Sequence, residues 1–206
     1  MRIVCLSDTH NQLHKVRVPD GDLLIHAGDS TDRGGPRELR RFNQDLGALP
    51  HKHKVIIAGN HDFGFEREPE AARALITNAV YLQDELCEIE GLRIYGSPWQ
   101  PAFMDWAFNL PRGEALKARW DRIPEGLDIL ITHGPPRGHG DLLRIGEAVG
   151  CDDLLAAIRR AQPRFHVFGH IHEGHGQTRE GRTLCINASI CDADYHAVQE
   201  PVVIDL

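Results

Sequence analysis

What the sequence withholds narrows its chemistry first. There is no CxxC pair: the five cysteines, Cys5, Cys87, Cys151, Cys185 and Cys191, are scattered and odd in number. This excludes a thiolate zinc cluster and a disulfide scaffold, and it fits reduced thiols. No apolar run approaches the roughly 18 residues of a membrane span, so no bilayer segment is expected. An excess of positive charge is missing as well. Lys and Arg number 23 against 30 Asp and Glu, a formal charge of −7. No dense basic stripe offsets it, so an extended nucleic acid is not an expected partner. Repeats, low-complexity tracts and Pro/Gly/Ser linkers are absent, and residues 1–206 read as one domain. A chain of this size buries roughly 70% of its unfolded surface and needs no staples. It starts Met1-Arg2-Ile3-Val4-Cys5-Leu6-Ser7-Asp8, strand-like at once, which leaves no room for a charged leader and an apolar signal core. A cytoplasmic location is the expectation.

What is present in excess is histidine, thirteen in 206 residues, about twice an average composition. The apolar pattern supplies a frame for them. Five short β-branched or apolar runs, at 2–6, 22–27, 54–58, 127–132 and 164–168, read as buried strands. Helical spacing at 37–46, 69–78 and 151–161 alternates with them, as in a layered α/β sheet with right-handed crossovers. Shorter runs at 81–83, 87–89, 92–95, 183–187 and 202–205 break that rhythm and suggest a second sheet packed on the first.

Each of the five main runs ends in an oxygen or imidazole donor: Asp8-Thr9-His10, Gly28-Asp29, Gly59-Asn60-His61-Asp62, His133-Gly134 and Gly169-His170-Ile171-His172. The carboxyl ends of parallel strands face a common crevice, so these donors are expected to converge. Asp8 and His10, and likewise His170 and His172, are two apart, which on extended backbone places them on one face. Adjacent glycines permit a close approach or a positive φ at a sharp strand exit. Asp8, His10, Asp29, Asn60, His133, His170 and His172 make seven donors, too many for one tetrahedral zinc. Two ions sharing Asp29 fit the count. Carboxylate, amide and imidazole without thiolate suit manganese, iron or zinc, with manganese favoured. Two such cations side by side assist in-line phosphoryl displacement.

The ordered blocks Asp8-x-His10, Gly28-Asp29-x-x-Asp32-Arg33, Gly59-Asn60-His61-Asp62, His133 and Gly169-His170-x-His172 resemble the calcineurin-like metallophosphoesterase superfamily. Further stretches, Gly96 to Pro101, Trp106 to Asn109, His133 to Pro136, His172 to Gly176 and Asn187 to Ser189, are similar to its metallophosphoesterase-domain-containing branch, whose members act as phosphodiesterases. The resemblance implies a two-sheet α/β/β/α sandwich. It implies Asp8, His10 and His172 on one ion, Asn60, His133 and His170 on the other, and Asp29 bridging. It implies His61 as the group that touches the scissile phosphate and protonates the leaving group. A hydrogen bond from Asp62 is expected to orient that imidazole. Asp32 and Arg33 match the protein Ser/Thr phosphatase form of the second motif, in which the Arg contacts phosphate; a guanidinium fork suits that task. That family has Glu where this chain has Asp62, which weakens a phosphoprotein substrate.

The expected function is hydrolysis of a phosphodiester in a small nucleotide-like molecule. A phosphomonoesterase or protein phosphatase is the alternative, with a nuclease or a catalytically silent scaffold behind it. Arg33 is either a phosphate contact or part of a solvated turn, Asp32-Arg33-Gly34-Gly35. His139 is placed at the substrate crevice or outside it with equal weight. The segment from Trp99 to Trp120, with Phe103 and Phe108, reads either as a satellite core under a long loop or as a lid on which a base stacks.

Overall fold

The computed structural model describes all residues, Met1–Leu206. In chain order the first half forms β1 (Arg2–Leu6), β2 (Leu23–His26), α1 (Pro36–Ala48), β3 (His53–Ile56), α2 (Phe63–Arg67), α3 (Pro69–Leu75), β4 (Val80–Tyr81), β5 (Glu85–Ile89) and β6 (Leu92–Ser97). The remainder forms β7 (Gln100–Pro101), β8 (Asn109–Leu110), α4 (Glu114–Trp120), β9 (Ile129–Thr132), α5 (Asp152–Ala161), β10 (Phe165–Phe168), β11 (Gly176–Glu180), β12 (Thr183–Asn187) and β13 (Val202–Asp205). One sheet has the order β13-β1-β2-β3-β4 and the other β11-β12-β10-β9-β6-β5. Inner neighbours run parallel, while β13, β5 and β11 pair antiparallel at the margins.

The strands carry almost continuous apolar runs because both faces are covered. Alternation along β1 shows how. Ile3 and Cys5 join Leu23, Ile25, Val55, Ile94, Ile129, Ile131, Val167 and Ile186 in the core between the two sheets. Val4 and Leu6 point the other way, onto Leu39, Phe42 and Leu46 of α1 and Phe63 and Phe65 of α2. Tyr95 and Leu130 of the second sheet meet Leu116 and Trp120 of α4 and Leu154 and Ile158 of α5. Helices therefore flank two stacked sheets, the α/β/β/α sandwich. Each large apolar side chain fully buried this way contributes about 1.5–3 kcal/mol, enough to hold strands only four or five residues long.

Local signals agree with the packing. Leu154, Ala157, Ile158 and Ala161 form one buried stripe on α5. The Cys151 thiol accepts the Leu154 amide at its start, and Gln162, at φ 46°, turns the chain out before Pro163. One sequence expectation changes. The five main runs do not share a sheet: β1, β2 and β3 lie in the first, β9 and β10 in the second. Two runs expected in the second sheet join the first: 202–205 as β13 beside β1, and 81–83, found as Val80–Tyr81, as β4 beside β3. An apolar run records that both its faces are buried, not against which neighbour.

Candidate metal centre

The two sheets end at a shared edge, and the donors meet there. Ligand atoms of Asp8, His10 and His172 lie within 4.8 Å of one another, as do those of Asp29, His133 and His170. Asp29 joins the groups: its Oδ2 stands 3.9 Å from His10 Nε2 and 3.4 Å from His133 Nε2. Asn60 Oδ1 lies 2.9 Å from His133 Nε2, so all seven sequence-predicted donors are brought together.

They arrive by a different route from the extended spacing expected. Asp8 (φ 55°), His10 (38°), Asn11 (60°), Asp29 (52°) and His170 (68°) all occupy the left-handed region, which disfavours side chains bearing a Cβ. Tight strand exits, rather than extended alternation, aim the donors. Cross-strand bonds enforce them: the Asp8 amide donates to Gly28 O at 2.9 Å, His10 to Asp29 O at 3.1 Å and Asn11 to Ser30 O at 3.0 Å. Two glycines serve close approach. A Cβ on Gly59 would fall 2.2 Å from Asp29 Oδ1, and one on Gly169 would fall 2.0 Å from Asp8 Oδ2.

The imidazoles are oriented from behind. His133 Nδ1 donates to Ala27 O at 3.0 Å and His172 Nδ1 to Asp192 O at 2.7 Å, which leaves each Nε2 facing the cluster. Burial alone would raise the Asp8 carboxyl, but the hydrogen bond and charge of His172 hold it well below the usual range. Asp29 is lowered likewise, burial being outweighed by His133. In return His133 and His172 are pushed up to about 9 against their own burial by Asp29 and Asp8 respectively. Burial lowers His10, and it lowers His170 to about 4 with help from the His133 charge. Both ring nitrogens of His10 are buried without a hydrogen-bond partner. Two buried carboxylates in need of positive charge, beside an unpaired imidazole, make a donor set that fits a pair of divalent cations.

His61 borders the cluster. Its Nε2 is 4.0 Å from Asp29 Oδ2, and its backbone amide donates to Asp29 Oδ1 at 2.8 Å. The expected bond from Asp62 is not made. Asp62 instead accepts from the amides of Ser30, Thr31 and Gly59 and the hydroxyls of Ser30 and Thr31, at 2.7–3.2 Å. It clamps the loop after β2 to the loop after β3. His61 Nδ1 donates to the Asp32 carbonyl at 3.1 Å, so backbone orients the imidazole. Burial and the Asp29 charge raise the Asp62 carboxyl, with those hydrogen bonds opposing. Arg33 does not line the cavity above the cluster; its guanidinium rests on Trp106 and Phe63, 5.3 and 5.8 Å from the ring centroids. His139 is buried outside that cavity, its ring nitrogens paired with Thr178 and Glu180 at 2.9 and 3.2 Å.

A family model for calcineurin-like phosphoesterase matches residues 1–174. The chain belongs to this family. Metallophosphoesterase domain-containing protein 1 of Homo sapiens is 48% identical over 230 residues, covering all of this chain and 71% of that protein. A UPF0046 protein of Caenorhabditis elegans is 41% identical over 228 residues, covering all of this chain and 81% of that protein. A crystal structure of a Thermus thermophilus protein shares the fold with a TM-score of 0.61 at 18% identity, covering 90% of this chain and 88% of that one.

The calcineurin-like phosphoesterase cluster forms the floor of a cavity of about 600 Å³. Phe103, Met104, Trp106, Leu143 and Tyr195 supply apolar walls. The segment from Trp99 to Trp120 thus divides. Trp120 is buried in the helix-side core and Trp99 packs edge-on against Phe108 at 5.5 Å, with its Nε1 donating to Asp84. Trp106 and Phe103 face the cavity. Tyr195, which sequence reasoning missed, packs edge-on against His10 and His172 with ring centroids 4.7 and 5.2 Å away. Its neighbours in sequence carry no motif, and only the loop before β13 returns it to the cluster.

Proposed function

We propose that this chain is a dinuclear-metal-dependent phosphodiesterase acting on a small nucleotide-like substrate. The observation that carries the reading is the Asp29 carboxylate standing between two imidazole-bearing groups at the floor of a cavity with apolar walls. Asp8, His10 and His172 would hold one cation, Asn60, His133 and His170 the other, and Asp29 both. Manganese suits this thiolate-free set. Two bound cations would activate water and offset charge on the phosphoryl oxygens.

The chain's own side chains supply the rest. Nδ1 of His61 is engaged by the Asp32 carbonyl, so Nε2 is the atom that delivers a proton to the departing alkoxide. Apolar walls seat the ester group and exclude bulk water beside the reacting phosphorus. Arg112 also lines the cavity, but its guanidinium is tied to the carbonyls of Val149 and Gly150, while Glu147 and Glu173 are acidic. A single phosphate therefore fits better than a polyphosphate chain. The phosphomonoesterase reading drew on a phosphate contact from Arg33, whose stacking on Trp106 and Phe63 supports a structural role instead. A cytoplasmic location is part of this proposal, on five cysteines that form no disulfide.

The test is Asp29→Asn. Bound metal per chain and turnover of an aryl phosphodiester are expected to fall together, turnover by about a thousandfold, as when an essential electrostatic group is removed. Unchanged metal content and turnover would reject the reading. Monoester and diester rates on one wild-type preparation separate the two esterase classes.

A further inference from the structure

His61 has a single ring hydrogen bond, from Nδ1 to Asp32 O at 3.1 Å. One such bond leaves an imidazole free to swing about its axis, which would carry Nε2 away from the ester oxygen. Something must fix the ring plane. Trp106 meets it: the ring centroids are 4.2 Å apart and the planes are inclined by 31°. His10 closes another side edge-on at 4.7 Å. The segment bearing Trp106 is tied to the loop bearing His61. The Ala107 amide donates to Asn60 O at 3.1 Å and the Phe108 amide to Glu66 Oε1 at 2.7 Å. Ala107 and Phe108 are fully buried, so the indole is presented by an anchored turn. The Arg33 guanidinium lies over the same indole at 5.3 Å, with its backbone amide held by Glu38.

We propose that Trp106 is a positioning residue that fixes the ring plane of His61, and that Arg33 braces Trp106. The proposal rests on the reading of His61 as proton donor to the leaving group. It accounts for an arginine in a phosphatase-like motif that faces an indole rather than the cavity floor. It also gives a task to the one tryptophan that lines the cavity.

The experiment uses the metal-loaded chain and a series of phosphodiesters whose leaving groups run from p-nitrophenol to alkyl alcohols, with metal content measured for every preparation. A p-nitrophenolate departs without a proton and an alkoxide does not, so a misplaced acid slows alkyl esters selectively. Trp106→Ala is expected to lower kcat for alkyl esters about tenfold to a hundredfold, as a displacement near an ångström does. Loss of this wall contact acts on aryl and alkyl esters alike, so the readout is the alkyl-to-aryl ratio of kcat, which should fall by that factor at unchanged metal content and return most of the way in Trp106→Phe. His61→Ala should show the same selectivity, larger in size. Equal slowing of aryl and alkyl esters by His61→Ala would remove the acid itself. Selectivity in His61→Ala without selectivity in Trp106→Ala would sink the positioning role alone.

A readout independent of turnover covers the case in which Trp106→Ala does not fold. The His61 ring protons, assigned by their loss from the NMR spectrum of His61→Gln, should lie upfield in the indole's ring current and move downfield in Trp106→Phe. Ordinary shifts in the unsubstituted protein would overturn the proposal. Arg33→Leu should slow alkyl esters about threefold, the equivalent of a modest cation–π contact, and add nothing to Trp106→Ala. An additive loss with raised KM would place Arg33 on the phosphate and end its bracing role.

Discussion

The cavity's floor and its rim are built on opposite principles. At the floor, donors sit just past strand ends, six of the seven buried and four (Asp8, His10, Asp29 and His170) on left-handed backbone, with cross-strand hydrogen bonds behind them and glycines where a Cβ would collide. At the rim, Phe103 and Met104 are exposed, as is Tyr195, on loops that link strands or follow them. The floor accepts no freedom because donor geometry decides whether a cation is held. The rim tolerates freedom because apolar contact is non-directional. On the proposed reading, chemistry would reside where the chain leaves the sheets and selectivity in the loops around that edge.

That contrast can be attacked from its strongest side first. Gly59→Ala alters no donor, yet its Cβ would press on Asp29 Oδ1 and on the Asp29 amide at 2.4 Å. Turnover should drop on the order of a hundredfold, together with metal stoichiometry; retention of both would show that the floor can relax. Asp62→Ala leaves five donors without their acceptor and should lower stability by about 3 kcal/mol in urea unfolding. Asp62→Asn should preserve the alkyl-to-aryl rate ratio, since Asp32, not Asp62, holds the His61 ring.

A smaller effect tests a buried histidine away from the donors. His166 pairs with Thr132 Oγ1 at 2.8 Å, and burial, with the His139 charge, pushes it down to about 3. Between pH 6.5 and about 3 the unfolded chain binds a proton at this residue that the folded chain does not. Its stabilising contribution is therefore complete above pH 6.5 and is lost as the pH falls. The unfolding free energy should decline by up to about 1.4 kcal/mol per pH unit more steeply than in His166→Gln. Equal slopes would contradict the burial. The smallest effect belongs to the rim. Phe103→Ser should raise KM for a bulky aromatic ester a few-fold, about 1 kcal/mol of apolar contact, with kcat within about twofold. A comparable fall in kcat would mean that the rim takes part in the chemistry.

The floor was legible in the sequence because each donor follows directly on a buried apolar run, and such runs must be strands. Asp8, Asp29, Asn60, His133 and His170 needed no knowledge of which sheet each strand joined. Helices α1 and α5, of thirteen and ten residues, were legible by periodicity, whereas five to seven residues barely show a period: α3 was read three residues too long, to 78, and α2 and α4 were not read. Asp62 and Arg33 were found as residues but given the wrong neighbours. Adjacency in sequence to His61 suggested a hydrogen bond, yet successive residues at a tight turn point apart. His139, six residues beyond His133, is drawn out of the cavity by Thr178 and Glu180 of β11.

Composition and pattern alone determined that this chain folds as alternating strands and helices and that carboxylate, amide and imidazole donors stand at strand exits. Those are properties of consecutive residues, set by burial and by backbone sterics. Which side chain touches which was decided only in three dimensions: Asp62 on Ser30 and Thr31, Trp106 on His61, Tyr195 on His10, β13 beside β1. These contacts join segments separated by about thirty to two hundred residues, and no local preference encodes a partner that only the packing of two sheets brings near.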